Sequence, residues 1–289
     1  MALAARDWLA GAELGDRFTD VRLQSAGTRC TVYVGTEQSA QRQVAVKVPD
    51  ENIGPWLHDV LDHEADILAR VGAHPNIVTY YERYALTDGR PALVMQYCPT
   101  SLDDVLRGDG RVPPEAVASL GIKVAGALET LHRADVLHCD VRPRNILLTD
   151  LGEPVLAGFD EAVATDIGAG HPPMHVTTAH TAPELLEGQP AGPASDVYGL
   201  ASTLYETITG RAAFRAYLGE SPAKVIVRVL SGTVAPIVSS EVPIELSDLI
   251  TWGMHSDPAA RPPSAAWFAE ELGRIQRREG WPRTRMVTR

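Results

Sequence analysis

Between Val136 and Leu148 an apolar run enters a polar turn carrying His138, Asp140, Arg142 and Asn145, and a second apolar run leaves it. A carboxylate and a carboxamide five residues apart, on a turn gripped from both sides by hydrophobic segments, are placed to face one reacting group. A second candidate pair lies upstream. In Val44-Ala-Val-Lys47, Ala45 and Lys47 share one face of a strand, because side chains alternate along it. From Pro55 to Val71 the text is helical, and Leu57, Leu61, Leu68 and Val71 form a narrow apolar stripe. Glu64 sits in the middle of that stripe. A charge on a buried face requires a partner, and Lys47 is the obvious one.

The elements that position these residues follow from pattern and punctuation. Val21-Arg-Leu23, Cys30–Val34 and Gln43–Val48 read as antiparallel strands, and Ile77–Tyr97 as two more around a turn at Thr87–Arg90. Gly54-Pro55 opens the helix that carries Glu64, and Gly72 closes it. Ser101–Arg107 reads as a short helix and Pro113–Arg133 as a long one, with Val117, Leu120, Val124, Leu128 and Leu131 as its buried face. Ser195–Gly210 is apolar nearly all round, which predicts a buried axial helix capped by Ser195 and closed by Gly210.

With 289 residues the chain can bury a full core in one large domain or two lobes. The net charge of -11 argues against a nucleic-acid binder. Cys30, Cys98 and Cys139 have neither metal-ligand spacing nor an even count, which suits a reducing cytosol. The residues before Gly15 read as neither a signal peptide nor a membrane span, and no apolar run reaches the length of a transmembrane helix. A cytoplasmic protein is expected.

The turn His138-Cys-Asp140…Asn145, the strand Val44–Lys47, Glu64, Ala182-Pro-Glu184, Asp196 and the Arg261 of Asp257–Pro262 occur in an order that resembles the eukaryotic-type Ser/Thr protein kinases. The resemblance covers about residues 18 to 272. It implies an α+β, two-lobed fold: a small antiparallel β-sheet lobe with one helix over 18–97, and a larger, mainly helical lobe over 98–272. An N-terminal extension (1–17) and a basic tail (273–289) flank them. By the same resemblance Asp140 takes the proton of an acceptor hydroxyl, and Lys47, held by Glu64, clamps the α/β-phosphates of ATP. Asn145 holds a cation, Mg2+ or Mn2+, and Arg142 offsets charge on the transferring phosphoryl group. Val32 and Ala45 would roof the adenine and Leu147 floor it, with Met95 behind and Gln96 and Cys98 at the hinge. His138, Phe159, Glu184, Asp196 and Arg261 are structural, the last pairing with Glu184. Partners are protein substrates or regulated proteins.

Three departures from the family pattern bear on activity. The glycine positions of the phosphate-covering loop hold Ser25, Gly27 and Cys30. Cys139 stands where arginine is usual, which predicts little dependence on phosphorylation of the segment 162–182 and its Thr177. Gly158-Phe159-Asp160 stands in place of D-F-G, so the metal-binding position is a glycine. If the chain is extended there, Asp160 lies on the same face about 6.6 Å away. Two readings therefore stand: an ATP-binding kinase with reduced or atypical phosphotransfer, and a pseudokinase scaffold. The tail carries six arginines and one glutamate and reads as a solvated or disordered end.

Overall fold

The computed structural model describes residues 14–27, 29–50, 56–87, 89–165, 179–217 and 219–289. The helix opening at Gly54-Pro55, the Leu57 side chain and Thr177 lie outside the described residues. The chain divides into two compact units, residues 1–73 with 78–99 and residues 74–77 with 100–289.

In the first unit β1 (Phe18–Ala26), β2 (Cys30–Glu37), β3 (Arg42–Pro49), β4 (Tyr80–Ala85) and β5 (Pro91–Gln96) form an antiparallel sheet of order β1-β2-β3-β5-β4. Residues directly opposite in neighbouring strands share a face. Ser25 lies opposite Val32, Val32 opposite Lys47, and Ala45 opposite Met95, so all five stand on one side of the sheet. The other side carries Tyr33, Val44, Val46, Val48, Ala92 and Val94, which are buried against Leu14 and Phe18. The expected boundary at residue 17 therefore cuts through this core: Leu14 is buried, and its carbonyl accepts from the Tyr84 hydroxyl at 3.0 Å. Arg17 pairs with Glu37 and Glu82. Helix α1 (Trp56–Val71) buries Leu61, Leu68 and Val71.

The second unit begins, in chain order, with the excursion 74–77. Ile77 bridges Leu156 in parallel, and the Asn76 side chain donates to the Pro154 carbonyl at 2.8 Å. After β6 (Thr100–Ser101), α2 (Leu102–Asp109) starts on a capping box in which Ser101 and Asp104 satisfy each other's backbone N–H. Helix α3 (Pro114–Arg133) buries every residue of its predicted apolar face. Then come β7 (Val136–Leu137), β8 (Ile146–Leu148), β9 (Pro154–Leu156) and β10 (Val163–Ala164). Strands β6, β8 and β9 form one small sheet, and β7 pairs with β10. Helices α4 (Pro183–Leu186), α5 (Pro193–Thr209), α6 (Pro222–Ser231), α7 (Ile244–Gly253) and α8 (Ala265–Glu279) complete the unit. As the apolar composition requires, α5 is buried along nearly its whole length.

Two expectations need correcting here. Ser195 is not the N-cap of α5; Gly192 is, and Ser195 stands three positions inside, its Oγ accepting from the Gly192 N–H at 3.2 Å. The basic tail is not a free end. The N–H and hydroxyl of Thr284 bond Gln276 Oε1 at 3.0 Å and Ser119 Oγ at 2.9 Å, the Val287 carbonyl accepts from His74 Nε2 at 3.0 Å, and the Arg289 N–H meets Thr130 Oγ1 at 3.3 Å. Arginine count hid these contacts because the tail is held by backbone groups and small polar side chains, while Arg283 and Arg285 point to solvent. Gly126 makes the approach feasible: a Cβ there would lie 2.4 Å from the Val287 carbonyl oxygen. Gly126→Val is expected to lift the strap and speed tryptic cleavage after Arg283 and Arg285 about tenfold or more, since overpacking costs about 1–3 kcal/mol. An unchanged cleavage rate would show that this close approach does not hold the tail.

Candidate functional site

Lys47 and Glu64 meet in the first unit, Nζ to Oε2 at 2.6 Å, with side chains 8% and 2% exposed. Removing both charges from water is costly, and a good ion pair offsets it. The α1 stripe thus buries its one acid against the sheet face that carries Ser25, Val32, Ala45 and Met95. The Gln96 side chain points away from that face. By register it stands opposite Val44, on the other face, and its Oε1 accepts from the Thr79 N–H at 3.3 Å. Cys98 is buried. In the β1–β2 turn the Gly27 N–H donates to the Cys30 carbonyl at 2.9 Å, so that donor is spent within the hairpin.

In the second unit the polar turn hangs on Asp196, near the start of α5. Its Oδ2 accepts from the His138 N–H at 2.9 Å and its Oδ1 from the Cys139 N–H at 2.8 Å, while His132 Nε2 lies 2.8 Å from Oδ2. Burial pushes the Asp196 carboxyl up, but these donors outweigh it and hold it below the usual carboxylate range. Aiming two successive N–H groups at one carboxylate goes with a left-handed backbone at Cys139, φ 63°, unusual for a residue with a side chain. Burial raises the thiol of the half-buried Cys139 well above its ordinary value, which disfavours the thiolate. His132 was not anticipated. A lone histidine at the C-terminal end of a helix reads as a partner of the helix dipole, and only the fold shows what it faces.

His138 is fully buried. Its Nε2–H donates to the Ala157 carbonyl at 3.0 Å, its Nδ1 accepts from the Asp140 N–H at 3.3 Å, and its ring meets Phe159 edge-on at 4.8 Å. Both ring nitrogens are therefore used by the neutral form, and burial holds the imidazole pKa down. Asp140 receives Asn145 Nδ2 twice, at its carbonyl (2.8 Å) and at Oδ2 (2.7 Å). Arg142 opens the 3-10 turn Pro143–Asn145, and its Nε is buried without a hydrogen-bond partner among the described residues. Leu147 lies half-buried in β8, two residues beyond Asn145.

Gly158 adopts φ 77° and ψ 59°, and Phe159–Glu161 forms a 3-10 turn. The extended chain expected from Gly158 to Asp160 is thus absent, and with it the argument that Asp160 shares the face of residue 158. Phe159 is buried in this turn against the His138 ring. Among the described residues no three His, Cys, Asp or Glu side chains gather into a cation-holding group. The donors present, one carboxamide turned onto Asp140 and no side chain at residue 158, do not fit a resident cation held by this turn and residue 158 together.

Away from the turn, Arg261 and Glu184 pair through two parallel bonds of 2.7 Å each, both side chains buried, and the Ser195 hydroxyl donates to Glu184 at 2.7 Å. Burial alone would raise the Glu184 carboxyl; the guanidinium and the hydroxyl bring it below its ordinary range.

A unit built on a five-stranded antiparallel sheet with a helix and a buried lysine–glutamate pair, and a second, mainly helical unit with a braced Asp/Asn turn, match the α+β, two-lobed architecture of protein kinases. A model of the protein kinase domain matches residues 20–272, and the chain belongs to that family. It is 38% identical over 271 residues to the serine/threonine-protein kinase PknK of Mycobacterium tuberculosis, covering 91% of this chain and 24% of PknK. To PknL of the same organism it is 31% identical, covering 97% of this chain and 71% of PknL. To PkaB of Streptomyces coelicolor it is 31% identical, over 86% and 61% of the two chains. The chain therefore spans about a quarter of PknK. Among the described residues no helix is long and apolar enough to cross a membrane.

Two predictions follow from this geometry. Removing one partner of a buried ion pair strands the other, so Arg261→Met should cost about 3–5 kcal/mol in denaturant unfolding. Adding Glu184→Met should recover most of it; an unrecovered loss would mean the pair is not the source. Acidification acts through His138 and through His74, whose Nδ1 accepts from the Asn76 N–H at 3.0 Å and whose pKa burial also lowers. With both depressed in the folded state, stability is complete above the ordinary histidine value of about 6.5 and falls below it, as the unfolded chain takes up protons first. The urea midpoint should drop between about pH 7 and pH 5, and His138→Gln should flatten that drop. A flat profile in the parent chain would overturn the neutral assignment.

Proposed function

We propose that the chain binds ATP and transfers its γ-phosphoryl group to a protein Ser/Thr hydroxyl, with reduced or atypical use of a divalent cation. The observation that carries this reading is the state of the turn. The Asp140 carboxylate is fixed by Asn145 at 2.7 Å, on a backbone braced by Asp196, and Arg142, two residues on, has a buried Nε without a partner among the described residues. In this reading Asp140 orients the acceptor hydroxyl and takes its proton as the oxygen attacks the γ-phosphorus and ADP departs. Lys47, held by Glu64, sits on the α/β-phosphates, and Arg142 offsets charge on the phosphoryl oxygens. Arginine is a broad planar cation where the family carries the more compact lysine. Within the first unit, Ser25, Val32, Ala45 and Met95, on the Lys47 face of the sheet, are the proposed nucleotide-lining residues; within the second, Leu147 is the proposed one. The names of the relatives PknK, PknL and PkaB, each a serine/threonine-protein kinase, support the acceptor class. The proposed setting is cytoplasmic, and the partners are protein substrates.

A second reading, a catalytically silent scaffold, is favoured by Gly158 and by the Gly27 donor spent on Cys30. Phosphate transfer from labelled ATP to the chain itself and to a generic acceptor protein, with Mg2+, Mn2+ or EDTA and beside Asp140→Asn, separates the two. Transfer that falls about a hundredfold or more in Asp140→Asn is expected. Transfer that is absent under every condition, or is unaffected by the substitution, would sink the enzyme reading.

A further inference from the structure

The segment after α8 is held by a few neutral hydrogen bonds, and one of them terminates a buried chain of others. Gln276, 1% exposed, gives both ends of its carboxamide to Thr284: Nε2 donates to the hydroxyl at 2.9 Å and Oε1 accepts from the N–H at 3.0 Å. The Thr284 hydroxyl passes its own proton to Ser119 Oγ at 2.9 Å. At Gly126 the contact is with main chain, since a Cβ there would meet the Val287 carbonyl oxygen at 2.4 Å and the Val287 nitrogen at 3.3 Å. Met286 and Val287 are only half-buried, and Arg283, Arg285 and Arg289 are exposed. A segment with so little apolar burial opens locally at far lower cost than the core. Yet the Val287 carbonyl is the acceptor for His74 Nε2 at 3.0 Å, which leaves Nδ1 free of a proton to accept from the Asn76 N–H at 3.0 Å. Asn76 in turn accepts the Leu156 N–H at 2.9 Å on its carbonyl and gives its side-chain amide to the Pro154 carbonyl at 2.8 Å. The next residue, Ala157, accepts from His138 and donates to the Asn145 carbonyl. Every one of these groups belongs to the second unit.

We propose that residues 281–289 are a latch: pinned by Gln276, they fix His74 through the Val287 carbonyl, and His74 positions the 74–77 excursion on β9. The purpose of the latch, control of the polar turn that β9 runs toward, rests on the proposed phosphotransfer; its geometry does not. Lifting the tail strands a buried imidazole N–H, and the ring is then free to turn away from Asn76. The tail is thus the weakly held end of a relay whose other end supports the His138 ring. An element with a low opening cost and a buried dependant is suited to a switch, because a small change in what holds it changes what it holds.

Gln276→Leu tests the latch in the full chain, because leucine fills the buried helix position and bonds nothing at Thr284. Tryptic cleavage after Arg283 and Arg285 should speed up about tenfold, and amide exchange at Asn76 and Leu156, at constant pH, should speed up by a similar factor. The amides of α5 should keep the parent rates. Unchanged cleavage would overturn the pin, and faster cleavage with parent-like exchange at Asn76 and Leu156 would overturn the relay. Equal acceleration in α5 would mean general loosening and would also count against it. The His74 ring gives a second readout that general packing would not move. In the parent chain burial, with Arg289 nearby, holds the imidazole pKa below its ordinary value. In Gln276→Leu the titration of its ring resonance, identified by its loss in His74→Gln, should move up toward that value. A parent-like titration would break the link between tail and imidazole. If the parent chain transfers no phosphate while Leu156 loosens on freeing the tail, the latch stands and the enzyme reading falls.

Discussion

The second unit depends on Asp196. A carboxylate with 1% of its side chain exposed is intolerable without donors, and three come to it: two successive backbone N–H groups of the turn and the imidazole of His132. The arrangement fixes more than the acid. It holds Cys139 in a left-handed conformation, sends the chain back toward Asn145, and ties the turn to α5, whose Thr203 hydroxyl reaches the Val141 carbonyl at 3.3 Å. The same helix supplies Ser195 to Glu184, and Arg261 closes on that carboxylate from the loop before α8. One buried helix start thus anchors both the reactive turn and the segment after residue 179. Neither anchor uses an exposed charge pair, whose worth would fade with salt.

In the first unit the corresponding constraint is the buried Lys47–Glu64 pair. It could be read from the chain because a helix stripe tolerates no unpaired acid, and the alternation of Ala45 and Lys47 said which strand face the partner must be on. The Asp140/Asn145 turn, Glu184, Asp196 and Arg261 were legible for a different reason: types and order matched a known pattern, and the fold gave them distances. What stayed hidden depends on three-dimensional neighbours that leave no periodic trace. The strap of residues 281–289 is held through carbonyls and small polar groups, so its arginines misled. Ser195 looked like a cap because a cap and the third helical position share the same preference for hydroxyls. Strand register also turns the Gln96 side chain to the opposite face of the sheet from Ala45 and Lys47, which position in the chain alone did not say.

Gly158 shows how a local conformation can decide what a residue change means. Along an extended strand, moving an acid two residues keeps it on the same side, and a shifted carboxylate could serve in its place. In a left-handed residue leading into a 3-10 turn that equivalence is lost, because the turn rotates successive side chains instead of alternating them.

The four-residue excursion at 74–77 has a consequence for dissection. The second unit is not a continuous stretch of chain: the Leu156 N–H donates to the Asn76 carbonyl at 2.9 Å, and the Pro154 carbonyl accepts from the Asn76 side chain. A fragment starting at Thr100 would leave these groups of β9 unpaired and would also strip His74 from the strap. Cutting the polypeptide at the apparent boundary would therefore not release an intact module. A separable second unit would need residues 74–77 supplied in trans or grafted ahead of Thr100, so the two halves of this chain are interleaved by sequence even though each has its own core.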